Sequence, residues 1–393
     1  MPIKATMTGS WFRTPEVNAL LPKSPTGEIS AEHQDVIEAA ERQAIRDQVH
    51  PKGAKLGLSW VSNGEQRKSG YTNYLPSRFH GFSATEKADM PMQPTMFEEF
   101  KESNPQMVAA MSSGQALFSF PKIVDRLQYH GAALAKKEAE DAARLAKEEG
   151  AERVFIPAPS PGVTTIFFSP QKAYRDHYDY LFDVGKQLRK EYEAILSVPG
   201  VDLQLDAPDL AMGKTTGVWG VDFFEALPKH VDAINEAVAG LPRERIRVHY
   251  CYGNWVGSHR FDADYSRVLP EFLRLKVGTL VGEMANPRHE GDALVLNRYL
   301  KEHEWPKGLK LAAGVIDVKT PIVETKETVA SRLERLTESG KISPDDLLGG
   351  SDCGFETFAS MGNVTREVGL QKLQAAAEGA ALANQRLGER RGD

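Results

Sequence analysis

The stretch VHYCYGN, Val248 to Asn254, sets an imidazole and a thiol two positions apart at the end of a β-like run. Residues two apart on a strand share a face, so His249 and Cys251 point the same way and Tyr250 points to the other. An imidazole beside a thiolate suits Zn²⁺, which takes four ligands and, in catalytic sites, keeps one position exchangeable. The sequence has one other cysteine, Cys353, and it also ends a strand-like run, DLLGGSDCGF. Glu283, in TLVGEMANP, ends a run between these two and is a candidate carboxylate ligand that yields to substrate in another state. A lone His-x-Cys pair is more often ordinary packing, and the second cysteine at an equivalent position shifts the balance toward a metal. Structural zinc sites more often pair their cysteines in loops, which this chain does not do.

Eight such runs recur: 3–10, 57–66, 153–162, 201–210, 246–254, 279–287, 309–319 and 346–355. Each ends in Gly, Pro, Asn or Asp, and amphipathic segments separate most of them. Strands alternating with helices imply a parallel sheet, and eight of them imply closure into a (β/α)8 TIM barrel. The segment KKEAEDAARLAKEEG (136–150) is rich in helix formers and stops on Gly150, and TKETVASRLERLTESG (325–340) opens with a Thr and stops on Gly340. Residues 81–107 break the alternation and predict an excursion, spanning about 71–130 between the second and third strands and partly over the barrel mouth. No repeat or linker divides residues 1–393, which read as one barrel.

Active sites of such barrels lie at the carboxyl ends of the strands. Ser10, Glu65, Asp206, His249, Cys251, Glu283, Asp317, Lys319, Asp352 and Cys353 all fall there. Polar groups in strands are costly to bury unpaired, so this recurrence points to a shared polar cavity. The plainer reading of Glu65, Asp206 and Asp352 is hydrogen bonding to loop amides, and of Lys319 an ion pair with one of the acids. His259 and His289 show no usable spacing, and His289 beside Glu290 reads as a surface residue.

Composition narrows the partners. With 48 Lys+Arg against 54 Asp+Glu and a net charge of −6, nothing attracts nucleic acid or an anionic membrane, so a small molecule is the expected partner. The opening MPIKATMTGSWFRTPEV lacks the apolar core of a signal peptide, and a cytoplasmic, reducing compartment with free thiols is the expectation. Dinucleotide, phosphate-loop, nucleophile-elbow and HExxH motifs are absent.

Taken in order, these motifs resemble the cobalamin-independent methionine synthase family, specifically its carboxyl-terminal catalytic barrel, over essentially the whole chain. TMTGSW resembles the family's Ile-Gly-Ser strand, LQLDAPDL its Gln-Ile-Asp-Glu-Pro-Ala-Leu, VHYCYGN its His-x-Cys run and GSDCGF its Asp-Cys-Gly. The resemblance implies zinc on His249, Cys251, Glu283 and Cys353. It also implies that Ser10, Glu65 and Asp206 bind the amino-acid part of homocysteine, whose sulfur receives a methyl group. Three positions depart from the family. Ala207 stands where the family has Glu, Met212 where it has an acidic pteridine contact, and Lys319 where it has a proton-delivering histidine. Asp317 and Lys319 are therefore the expected catalytic pair, with Lys319 either protonating a leaving group or holding a substrate anion. The donor stays open between methyltetrahydrofolate and a methyl group on a corrinoid protein.

Other readings are similar in fold. Epoxyalkane:coenzyme M transferases use zinc thiolate chemistry in one barrel, and there Lys319 would serve a sulfonate or an alkoxide. The Glu65 and Asp206 pair suits the ammonium of an amino-acid thiol instead. A zinc held only for stability, or a metal-free barrel resembling uroporphyrinogen decarboxylase, would leave Cys251 and Cys353 idle in catalysis.

Overall fold

A computed structural model of the chain describes residues 2–21, 29–89, 94–103, 119–170, 172–218 and 220–392. Eight parallel strands form one sheet: β1 (Lys4–Ala5), β2 (Trp60–Ser62), β5 (Arg153–Pro159), β6 (Val201–Asp206), β7 (Ile246–Tyr250), β8 (Thr279–Gly282), β9 (Lys310–Ile316) and β10 (Leu347–Ser351). The order is β1-β10-β9-β8-β7-β6-β5-β2. The remaining seam between β1 and β2 is bridged by the Ser59 N–H on Ala5 O (2.9 Å) and by Thr6 Oγ1 on Trp60 O (3.1 Å). The sheet is a nearly closed (β/α)8 barrel, as expected. Each strand is shorter than its apolar run because the carboxyl end of the run leaves the ladder to build the mouth.

Side-chain alternation sorts the interior from the helical layer. Along β7, Arg247, His249 and Cys251 share the inner face. The Arg247 guanidinium lies 4.0 Å from the Phe155 ring centroid and bonds Thr6 Oγ1 (3.0 Å) and Met7 O (3.1 Å). Tyr250 faces outward, its ring 4.2 Å from Phe272 on helix Tyr265–Phe272. Trp60, Val281, Ala312 and Leu348 make a small apolar group of their own, separate from the large cluster that joins strands to helices.

The helices follow local chemistry. Helix Ala132–Glu148 buries Ala135, Ala139, Ala142, Leu145 and Ala146, spaced to make one stripe, and the chain turns at Gly150 with φ of 79°. In helix Lys326–Arg335, Thr325 caps the amino end by accepting from the Thr328 N–H. That helix stops earlier than Gly340, and the carboxyl-terminal helix runs from Arg366 to Gly392.

The excursion between the second and third barrel strands contains an antiparallel pair, β3 (Phe79–Asp89) with β4 (Ser119–Tyr129), and a helix, Pro94–Ser103. The expected excursion also includes 90–93 and 104–118, which lie outside the described residues. The hairpin lies along the flank of the barrel. Leu127 N–H donates to Tyr174 Oη (2.9 Å), and Tyr129 N–H to Gln187 Oε1 (3.1 Å) on helix His177–Leu196. Helix Pro94–Ser103 reaches the mouth, where Thr95 Oγ1 bonds Thr215 O (3.0 Å).

Two buried polar clusters each contribute an acid-labile share of stability. Burial alone would raise the Glu138 carboxyl, but Lys68, Arg78 and Arg67 hold it down at about 2. Burial, with His230 beside it, pushes His177 down to about 3 from 6.5. A depressed histidine stabilises the fold fully above its unfolded value and loses that contribution as pH falls through 6.5 toward 3. The depressed carboxylate loses its share from 4.5 down to about 2. Because carboxyls raised by burial act in the opposite sense over the same interval, the contribution of His177 is read from a variant: His177→Asn should gain melting temperature relative to wild type as pH is lowered from 6.5 to 3, and a constant difference would contradict the assignment.

Candidate active site

The carboxyl ends of the strands surround a cavity of about 310 Å³. Of the sequence-predicted residues, Ser10, Glu65, Asp206, His249, Cys251 and Cys353 line it together. Asp206 and His249 are direct partners in the β6–β7 ladder, so their side chains leave the sheet side by side. Cys353 follows β10, which is not adjacent to β7. The register between β9 and β10 shifts between Gly350 and Ser351, just before the cysteine.

One ligand atom from each of His249, Cys251 and Cys353 lies within 4.8 Å of the others, and all three residues are buried. Donors sharing one zinc ion at about 2.0–2.3 Å stand at most about 4.6 Å apart, so the group fits such an ion with little adjustment. His249 Nδ1 sits 3.3 Å from Val281 O, which leaves Nε2 as the ligand atom, the usual arrangement for a metal-binding histidine. Both cysteines are free. A hydrogen bond between the two sulfurs lowers the Cys251 thiol and raises that of Cys353, so the pair shares one proton. Asn254 ties the two cysteine loops together, its Nδ2 donating to Gly354 O (2.8 Å) and Thr357 Oγ1 (2.7 Å).

Two carboxylates, Glu65 and Asp206, share the cavity with the cluster. Burial, then the charge of Asp206, raises Glu65 to about 7, and burial raises Asp206 to about 6. Gln204 Nε2 donates to Asp206 Oδ1 (2.9 Å), while Glu65 Oε2 is buried with no hydrogen-bond partner among the described residues. Such a pair is short of a cation. Glu65 itself adopts a left-handed backbone, φ 57°, which presents its side chain at the mouth. Gly9, with φ of 81°, passes so close that a Cβ there would lie 2.6 Å from Glu65 Oε1. A Cβ on Gly354 would lie 2.0 Å from Ser10 Oγ.

Glu283, Lys319 and Asp317, the other expected site residues, do not line the cavity. Glu283 is absent from the three-residue cluster. Its Oε2 accepts from the Tyr252 N–H (2.8 Å), and its Oε1 from Asn286 Nδ2 (2.7 Å) and the Lys319 ammonium. Its charge acts on His249 and on both cysteines. Lys319 and Asp317 do not line the cavity. The Lys319 ammonium is committed to Glu283, and Asp317 Oδ1 accepts the Lys319 N–H (2.8 Å), a loop-closing bond. Asp352 takes the plain reading, accepting from the N–H groups of Met284, Ala285 and Asn286 at 2.7–2.9 Å. His289 is not a surface residue: only 2% exposed, it bonds Asp262 (2.8 Å) and Asp292 (2.9 Å) and stacks on Tyr252 with ring centroids 3.7 Å apart.

Much of the remaining wall is apolar, with Tyr71, Met96, Phe167, Trp255 and Phe358 not found from the sequence. Only Met212 was singled out, through the motif around Asp206. Phe167 ends the short helix Pro161–Phe167, and Tyr71, Trp255 and Phe358 come from loops and the insertion, where no periodicity marks them.

The fold and site define a (β/α)8 barrel whose mouth joins a histidine–dithiol cluster to a carboxylate pair. The family described as cobalamin-independent synthase, catalytic domain, matches residues 161–378, and the chain belongs to that family. A methionine synthase of Saccharolobus solfataricus is 26% identical over 386 residues, covering 98% of this chain and 96% of its own. A 2-hydroxypropyl-CoM lyase of Xanthobacter autotrophicus is 31% identical over 179 residues, 40% of this chain and 45% of that protein. The solved structure of a B12-independent methionine synthase from Shewanella sp. W3-18-1, in complex with selenomethionine, superposes with a TM-score of 0.72 at 19% identity, covering 98% of this chain and 99% of that one. It shares the fold.

Gly9→Ala forces a side chain both into a left-handed backbone and against Glu65. Its cost should exceed about 1 kcal/mol in urea unfolding; an unchanged midpoint would mean that Glu65 is not held by this contact.

Proposed function

We propose that the chain transfers a methyl group to the sulfur of homocysteine at a zinc ion held by His249, Cys251 and Cys353. The reading rests on one observation: the sulfur–imidazole cluster and the cation-deficient Glu65 and Asp206 pair share a single cavity. An amino-acid thiol carries a sulfur for the first and an ammonium for the second. Membership of the family and the likeness to a protein named methionine synthase support the same chemistry.

Zinc bound there supplies a thiolate at neutral pH, where a free thiol of pKa about 8.5 is mostly protonated. The protein's own groups do the rest. Glu65 and Asp206 take the ammonium, which favours their ionised forms, and fix its distance from the cysteine sulfurs. Ser10 borders the same pole. The Tyr71, Phe167, Trp255 and Phe358 rings exclude water and give the donor a flat apolar surface, so that reactant alignment carries much of the rate. Lys319, behind the site, compensates the buried charge of Glu283. The donor is methyltetrahydrofolate or a methylcorrinoid. The contiguous buried core, from Ile3 to Ala383, supports reading residues 1–393 as one catalytic barrel with 71–130 as its insertion.

The likeness to a 2-hydroxypropyl-CoM lyase favours a second reading, thiol alkylation with coenzyme M. A sulfonate would need a cation at the mouth. The two carboxylates there, and the withdrawal of Lys319 from the wall, favour the amino acid.

Zinc-loaded protein incubated with homocysteine and, in separate arms, methyltetrahydrofolate or methylcobalamin should give methionine by mass spectrometry in at least one arm. Product in neither would refute the reading. Cys353→Ser should lose most bound zinc and with it thiol alkylation. Asp206→Asn should retain zinc while the KM for homocysteine rises by roughly tenfold or more, the scale of a lost charged hydrogen bond; an unchanged KM would argue against an amino-acid acceptor.

A further inference from the structure

Glu99, on helix Pro94–Ser103 of the insertion, is completely buried against the loop that follows β7. Its carboxylate accepts from three consecutive residues of that loop. Ser258 Oγ (2.9 Å) and the Arg260 N–H (2.8 Å) reach Oε1, and the His259 N–H (2.9 Å) reaches Oε2. A surface pair between Arg260 and Glu102 (2.9 Å) adds a weaker tie. The backbone at Gly257 threads between these groups: a Cβ there would lie 2.9 Å from the Trp255 indole and 3.1 Å from Glu99 Oε2.

The loop in turn carries part of the cavity wall, Asn254, Trp255 and Val256, and the helix carries Met96. Trp255 is held by His259. The two rings stack at 5.0 Å and 15°, and His259 Nε2 lies 3.0 Å from Trp255 O. On its other side His259 Nδ1 meets Asp262 (3.0 Å), which also bonds His289. The chain of support therefore runs from Glu99 to the His259 backbone, from the His259 ring to Trp255, and from Trp255 to the cavity. A buried carboxylate without hydrogen bonds is costly, and three donors from one loop offset that cost only while the loop keeps this shape.

We propose that Glu99 is a positioning residue, through which the insertion fixes the Trp255 wall of the cavity and so shapes the subsite of the second substrate. Calling that substrate the methyl donor rests on the reading above; the latch itself does not. It makes the insertion a determinant of donor fit while leaving the metal cluster and the ammonium subsite to the barrel.

Hydrogen exchange and indole accessibility in the full chain test the latch without turnover. In Glu99→Ala, peptides covering 257–261 should exchange at least tenfold faster, and acrylamide should quench Trp255 more strongly, with Trp255→Phe identifying its share of the signal. Peptides covering 246–250 and 347–351, which carry β7 and β10, should keep wild-type protection. Glu99→Gln sets an amide N–H or a single shared oxygen against three donors, so its exchange over 257–261 should fall between wild type and Glu99→Ala, and it decides the matter if the alanine variant does not fold. Wild-type exchange over 257–261 in Glu99→Gln, or loss of protection across the strands in that variant, overturns the proposal. With an active donor, KM for the donor should rise at least fivefold while KM for homocysteine holds; an equal rise in both also overturns it. Absence of turnover in the wild type counts against the proposed reaction, and the exchange result still decides the latch.

Discussion

Concentrating acidic and sulfur groups in a cavity that excludes water is the constraint on which this site depends. Glu65, Asp206, Cys251, Cys353, Glu283 and Asp352 are all buried around the barrel mouth. Each anion is costly there unless something opposite in charge or a set of N–H donors faces it. Asp352 is satisfied by backbone N–H groups, and Glu283 by Lys319 together with two N–H donors. Lys68, itself 1% exposed and bonded to Pro157 O (2.6 Å), lends its charge to Glu65 and Asp206 from behind. In the proposed function the cavity face of Glu65 and the thiolate shared by the cysteines are the places that receive an ammonium and a divalent cation.

The barrel makes this arrangement possible because closure brings non-neighbouring strands to one ring. β7 and β10 are separated in the sheet by β8 and β9, yet the residues that follow them meet across the mouth. Small residues allow the approach. Gly314 is one: a Cβ there would lie 1.9 Å from Asp352 Oδ1, so the carboxylate that organises the loop after β8 has room only beside a glycine. Asn254 spans the two cysteine loops, holding their separation by hydrogen bonds rather than through the sheet.

Around this centre, polar groups that look reactive in the sequence serve as supports. Lys319 and Glu283 neutralise each other behind the wall, and Asp317 closes the turn that carries Lys319. His289, Asp262 and His259 form a buried chain in which burial opposes charge on His289 but its two aspartates, Asp262 and Asp292, raise it to about 9. A cationic imidazole there faces the same acidic surroundings as Lys319. These groups belong to the electrostatic setting of the site and do not touch its cavity.

Much of this was legible in the residue order. Apolar runs with a two-residue period and chain-breaking ends gave the eight strands, because strand burial is a local pattern. The carboxyl-end rule then gathered Ser10, Glu65, Asp206, His249, Cys251 and Cys353, since a strand's direction fixes which end its polar residues occupy. The sequence by itself thus determined the barrel and which side chains can face its mouth. It did not determine which of them meet. Glu283 and Lys319 sit at correct strand ends but choose each other, because pairing depends on side-chain reach across space. His289 is buried by contacts with Asp262 and Tyr252, far from it in the chain. The aromatic wall and the Glu99 contact arise where loops and insertion dock, and such docking leaves no periodic trace in sequence. Only the tertiary structure decided them.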